Sequence, residues 1–410
     1  MSPTEILVCS SAVLVLLFRR GPRSSVMAYV AAYFAFFSLG PVVNTMRGED
    51  IYEGTVVSEV PDAGIAYLVV LVAWLTVDLL ARDSQALRTN PYWRRDDGTR
   101  WTGYSVALFI LTLYGGFFAL QLAVLSPFEK AVSVGTAPAL HYQYVLLETI
   151  ALSMLFFIWP DKTARKWYFL NAVVFIAYGL LSAERDFIFL IFSLFVHATT
   201  FGLLRSARWT PIVGGTFAVL GTWIFATRGN GDLDTTGVLN QGSLLFVDTY
   251  LLSRYPINDT DATHSYWNMI SGGSSSGFTS LSDWFVQFYL DSHAKAGYGF
   301  SLVGEARLNA GLVGVFVVFA LLAVFHKYLL TKATTWRPAL FFAPLFITFL
   351  MYSMRGDLDM LLSTLLYGAV FLLVVWLTRT TAPAKAVPRT TQPSTDPAPR
   401  VRAGGATVAR

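Results

Sequence analysis

"SLVGEARLNAGLVGVFVVFALLAVF", Ser301 to Phe325, is a run of twenty-five mostly apolar residues with a glutamate and an arginine near its start. Its length suits a bilayer, which asks roughly 17–25 apolar residues of a crossing helix. Its arginine does not. At a rise of 1.5 Å per residue, Arg307 would lie about 9 Å into the run. An uncompensated guanidinium near membrane depth costs roughly 2.5 kcal/mol or more. Glu305 cannot offset that cost alone, because residues two apart face different sides of a helix. The run therefore reads as a membrane span whose mouth holds charge.

The rest of the chain has the same character. It is 54% hydrophobic and 14% charged, against roughly 25% charged in an ordinary soluble domain. Eleven apolar runs separated by charge clusters predict about eleven transmembrane helices: Thr4–Phe18, Val26–Val43, Ala63–Leu80, Tyr104–Leu125, His141–Ile158, Tyr168–Leu181, Phe187–Leu204, Pro211–Phe225, Ser301–Phe325, Pro338–Ser353 and Met360–Leu377. The first is no signal peptide, since Arg19, Arg20 and Arg23 follow the apolar stretch instead of preceding it. The single cysteine, Cys9, excludes an intramolecular disulfide. A net charge of +4 fits inner loops meeting anionic lipid and gives no sign of nucleic acid.

Lys and Arg collect in short cytoplasmic loops. With Arg19–Ser25 placed inside and the loops alternating, 22 of the 30 basic residues fall on one face and eight on the other. The predicted arrangement is multi-pass, with a periplasmic N-terminus and a cytoplasmic C-terminus. Two acids, Asp78 and Glu148, fall inside spans. The expected domains are a transmembrane helical body, residues 1–378, and a disordered cytoplasmic tail, residues 379–410, too poor in apolar residues to fold.

One outer connection, residues 226–300, is long, and long loops in compact folds tend to carry function. Within it Leu281, Trp284, Phe285, Phe288 and Tyr289 form an apolar helical stripe behind Ser280 and Asp283, which reads as a short helix lying on the membrane surface.

Five of the eight outer basic residues are Arg185 in "LLSAERDFIF", Arg228, Arg254, Arg307 and Arg355 in "MRGDLD". Singly, each reads as an interfacial ion pair, Arg185 with Glu184 or Asp186 and Arg355 with Asp357 or Asp359, contributing about 0–1 kcal/mol. Together they read as a basic pocket. A planar fork of donors suits phosphate oxygens held bidentately, so the pocket would grip a lipid-linked phosphate or pyrophosphate.

The same face carries side chains able to take up a proton. Glu305, beside Arg307, is the first candidate, and His264 and His293 follow; Asp283, Asp291, Asp357 and Asp359 are further acids on that face. Trp267, Tyr255 and Tyr266 are placed to stack on sugars or to join the interfacial aromatic belt, as Tyr250 and Trp284 are. No HExxH or HxxxH spacing occurs, so no metal site is read.

Three segments also resemble the bacterial O-antigen and oligosaccharide repeat-unit polymerases. "GYGFSLVGEARLNAGLVGVF" resembles their Gly-rich approach to a Glu, an Asn-x-Gly turn and a small-residue helix; "LLSAERDFIFLIFSLF" their arginine hairpin, here flanked by two acids; and "MYSMRGDLDMLLSTLLYG" their late arginine-bearing connection. The resemblance covers Leu180 to Gly368. It implies an all-α, GT-C-like bundle with one long periplasmic loop in the bacterial inner membrane. It also implies a polymerase moving a growing glycan from one polyprenyl pyrophosphate onto a second lipid-linked repeat unit, with no nucleotide sugar and no metal, and it is compatible with a chain-length regulator as partner. An O-antigen ligase would use similar parts. A flippase or transporter for a polyprenyl-linked glycan would be expected to show paired repeats and midplane charges instead.

Overall fold

The computed structural model describes residues 1–19, 26–46, 55–81, 92–95, 98–125, 138–182, 186–204, 243–255, 281, 285 and 300–381. The candidate residues Arg185, Arg228, His264, Tyr266, Trp267 and His293, and the apolar run Pro211–Phe225, lie outside these.

The described chain is almost all helical. In order run α1 (Pro3–Arg19), α2 (Val26–Met46), α3 (Val60–Leu80), α4 (Thr102–Leu125), α5 (Pro138–Leu152), α6 (Lys162–Leu181), α7 (Asp186–Thr200), α8 (Ser243–Arg254), α9 (Leu302–Lys332), α10 (Ala339–Ser353) and α11 (Leu358–Leu377). Among the described residues, five stretches are long and apolar enough to cross a membrane: Val26–Val43, Val57–Leu80, Thr102–Val124, Leu302–Lys332 and Leu358–Leu377. Phe187–Thr200 and Ala339–Ser353 are apolar but shorter.

Burial sorts these helices. α10 is apolar on all sides, and thirteen of its fifteen residues are buried, so it forms the centre of the bundle. It packs against α7, α9 and α11. α4 turns Phe117, Leu120 and Val124 outward, α9 Val313 and Leu321, and α11 Leu366, Leu373 and Leu377. Without water to shield them from, such faces suit lipid tails.

Both acids predicted inside spans have partners. Asp78 of α3 accepts a 2.6 Å hydrogen bond from Lys327 Nζ of α9, with both side chains buried. Glu148 of α5 accepts from Asn171 Nδ2 of α6 at 2.5 Å, and Thr112 Oγ1 of α4 donates to Asn171 Oδ1 at 2.9 Å, so one polar chain ties three helices. The fifth run ends earlier than expected. α5 stops at Leu152, and its last carbonyls are taken by Tyr104 Oη and Tyr168 Oη, which bond to Ala151 and Leu152; residues 153–160 continue as buried turns.

The alternation of loops groups them into two sets, and the bonds between loops join members of one set. At the basic pole Tyr92 Oη donates to Ala333 O, Arg94 to Gly202 O and Arg337 Nε to Phe157 O. Arg94, Arg165, Arg337 and Arg379 lie over the rings of Trp93, Trp159, Trp101 and Trp376, a pairing of cation and amphipathic ring suited to an interface. Just past α11, Thr380–Thr381 (β2) pairs antiparallel with Thr99–Arg100 (β1).

Asp161 holds this pole together. Its Oδ1 caps α6 by accepting from Thr163 N and Ala164 N, while Oδ2 accepts from Trp101 N at 2.8 Å. Asp161→Ala is expected to lower stability by about 1–2 kcal/mol through loss of the cap and the cross-loop bond. Thermal unfolding of the detergent-solubilised chain checks this, and an unchanged midpoint would show that the cap contributes nothing.

α9 is not one straight helix. Thirty-one residues would span about 46 Å, against roughly 30 Å of hydrocarbon. Helical geometry breaks at Ala310 (φ −156°, ψ 30°) and Gly311 (φ 61°, ψ −153°). The second conformation belongs essentially to glycine. The break separates a short segment carrying Glu305 and Arg307 from a 21-residue stretch that is itself long enough to cross.

Candidate functional site

At the pole poor in basic residues, the start of α3, the helix α8 and the first turns of α9 enclose an open cleft. Sequence reading left α8 undetected inside the long loop. Its lower face buries Phe246, Val247 and Leu251 with Leu281, Phe285, Phe300 and Leu308. Leu281 and Phe285, two residues of the stripe expected to lie on lipid, are thus buried in protein. Thr249 Oγ1 accepts from Val56 N, fixing α8 to the approach of α3.

The cleft is lined by Ala63 and Ala66 of α3, Asp248 and Leu251 of α8, and Gly304 and Arg307 of α9 among others, and its empty space is about 340 Å³, part of it open to solvent. Arg307 reaches across it. Nη1 donates to the Asp62 carbonyl at 3.0 Å and Nη2 lies 4.0 Å from Asp62 Oδ2. Asp62, in the first turn of α3, is therefore the partner that offsets the guanidinium. Its own side chain is 57% exposed, so water screens the pair. Asp248 and Glu59 add further negative potential at Arg307.

Asp248 is the least expected member. It is 4% exposed, and its Oδ2 accepts a 2.7 Å hydrogen bond from Tyr67 Oη of α3. No donor reaches Oδ1 in bonding geometry. Gly304 makes the room: a Cβ there would sit 2.8 Å from Asp248 Oδ1 and 2.8 Å from Leu251 Cδ1. Burial raises the Asp248 carboxyl from the ordinary range to about 6, against the opposing pull of Ser301, Tyr67, Arg307 and the Gly304 N–H.

The other candidates fall at this pole in different settings. Glu305 is 1% exposed, and its Oε2 accepts from the Leu358 N–H at 2.8 Å, an orphan donor at the start of α11. It faces away from Arg307, as its spacing predicts, and is not part of the cleft wall. Asp357 caps α11 through Met360 N. Burial raises its carboxyl; the Met360 bond opposes this and Asp359 adds to it. Arg355 lies in the turn between α10 and α11, its carbonyl bonded by Phe300 N. Arg254, exposed, sits 5.5 Å over the Tyr250 ring. Tyr255 lines the cleft with Arg307. Thus Arg307 and Tyr255 share a cavity and Arg254 stands on α8, which borders it, whereas Arg355 lies in a turn that does not line it.

A second cavity, of about 710 Å³ with its open part, lies between α5, α7, α10 and α11, and Tyr142, Thr149, Tyr352 and Thr364 contribute hydroxyls to its wall. Among the described residues no three His, Cys, Asp or Glu side chains converge as metal ligands.

No protein-family model, curated protein or solved structure matches this chain. Its own helices are what define its class: an almost all-helical chain with several helices of membrane-crossing length and hydropathy, consistent with a multi-pass membrane protein.

Proposed function

We propose that the chain is a membrane glycosyltransferase that polymerises polyprenyl-pyrophosphate-linked repeat units at the periplasmic face of the bacterial inner membrane. The observation that carries this reading is a half-buried arginine and a buried carboxylate sharing one open cleft at the pole poor in basic residues. Glycosyl transfer from a diphosphate carrier needs both. The acceptor oxygen bonds to the donor sugar's anomeric carbon, the bond from that carbon to phosphate oxygen breaks, and the pyrophosphate leaves with the electron pair. A fixed cation stabilises that departing charge, and a base takes the acceptor proton.

The charge balance divides the labour. Arg307 stands among Asp62, Asp248 and Glu59, so it does not neutralise a diphosphate alone. Arg254 would supply further positive charge from α8 at the cleft's border, and Arg355 and the two arginines outside the described residues, Arg185 and Arg228, belong to the same predicted face. Tyr255 would offer its ring to a sugar.

Arg307→Lys keeps the charge and removes the fork. At normal protein level it is expected to lower transfer by about 10²-fold, the scale of one lost transition-state donor. Full activity of this variant would count against a bidentate grip on phosphate. Deleting the gene and separating the surface polysaccharide on a gel tests the function itself. Lipid capped with single repeat units supports the polymerase. Uncapped lipid with intact free polymer would show a ligase, and loss of all exported material a flippase.

A further inference from the structure

Resting on that reading, we propose that Asp248 is the catalytic base, accepting the proton of the acceptor sugar's hydroxyl across the cleft from Arg307. Among the described carboxylates around the cleft, it alone is both buried and in the cleft wall, with an oxygen that no donor reaches in bonding geometry. Glu305 is committed to the Leu358 N–H and sits outside the wall. Asp62 is largely exposed and engaged with Arg307. Glu59 is at the solvent end of the α3 approach.

Asp248 has the two-sided arrangement that a positioned base requires. Tyr67 Oη holds Oδ2, fixing the carboxylate plane, while Oδ1 is buried with no donor in bonding geometry and packs so closely on Gly304 that a Cβ there would clash with it. A hydroxyl donor at Oδ1 would complete its bonding, which is the usual state of a buried polar atom. The charged and titratable groups facing Asp248 are Tyr67 from α3 and Arg307 from α9, and the Ser301 hydroxyl and the Gly304 N–H are near enough to favour its ionised form as well. Burial holds the group near the pH at which a periplasmic enzyme works, so it is mostly ionised at neutrality and weakly enough solvated to take a proton.

In the reaction, the proton passes from the acceptor hydroxyl to Asp248 Oδ1 as the new glycosidic bond forms. Asp248 returns it to water when the product moves on. Tyr67 touches no substrate and is a positioning residue.

The test combines the purified full-length chain in lipid nanodiscs with lipid extract from the deletion strain, whose single lipid-linked repeat units serve as the probe, and reads the glycan ladder against pH. Wild type is expected to gain activity as pH rises through about 6 and then level off. Asp248→Asn is expected to lose 10²- to 10⁴-fold, the usual contribution of a general base, and to lose that acid limb. Tyr67→Phe removes a hydrogen bond that favours the carboxylate. It should move the limb to higher pH, a response that a merely structural tyrosine would not give.

An Asp248→Asn ladder of wild-type rate and pH dependence would overturn the assignment while leaving the polymerase standing. So would an unshifted limb in Tyr67→Phe, which keeps the proposal open to refutation if the Asn variant does not fold. A deletion strain that holds no single lipid-linked units would instead sink the underlying function.

Discussion

Asp78→Leu is expected to lower the free energy of unfolding by about 3–5 kcal/mol, as is Lys327→Met, while the double replacement returns close to wild type. The reason is the asymmetry of buried ion pairs. The two side chains are 4% and 6% exposed and bonded at 2.6 Å. Taking two charges out of water consumes most of what their attraction yields, so the pair adds little net stability, yet either charge left alone is costly. Asp78 is also two residues from the C-terminal end of α3, where the helix macrodipole disfavours an anion. Its tolerance there depends on Lys327. Unfolding by heat or by SDS titration, arranged as a double-mutant cycle, reads the result. Three variants of equal stability would mean that water already reaches the pair.

The second large effect is at the break in α9. Gly311→Val places a β-branched side chain at φ 61°, ψ −153°. Holding it there costs on the order of 1–3 kcal/mol. The chain can avoid the cost only by resuming a regular helix, which would rotate Leu302–Asn309 and carry Arg307 and Glu305 away from Asp62 and Leu358. Close packing at the break resists that adjustment, since a Cβ on Gly314 would meet the Ala306 carbonyl at 2.4 Å. Near-complete loss of the glycan ladder is therefore expected with only moderate loss of thermal stability. A Gly311→Val chain of normal activity would show that the position of the short segment does not matter to transfer.

These features differ in how far the sequence discloses them. Ten of the apolar runs between charge clusters coincide with described helices, although α5 stops six residues short of its run and α9 extends seven beyond. Arg307 could be singled out as needing an explanation, and its opposite face from Glu305 followed from spacing alone. Its partner could not be read: Asp62 lies 245 residues earlier, and only the meeting of α3 with α9 joins them. Asp78 and Lys327 are 249 apart and stood in different categories, a span acid and a loop base. Asp248 stands in a stretch that reads as loop, so nothing in the surrounding sequence sets it on a helix beside α9. The stretch "SLLFVDTYLL" has the same signature as the arginine hairpin, a charge set in apolar sequence, and that signal was available. Glu305 was read as a base from its nearness to Arg307 in sequence, whereas Leu358 is what its carboxylate meets in space.

The last helix is moored at both ends. At one, Glu305 grips the Leu358 N–H; at the other, Thr380 and Thr381 pair with Arg100 and Thr99 just beyond the Trp376 ring that carries Arg379. Sliding or twisting α11 along its axis would strip a buried carboxylate of its donor and undo both rungs of the clasp. α11 is thus held against axial movement from both ends.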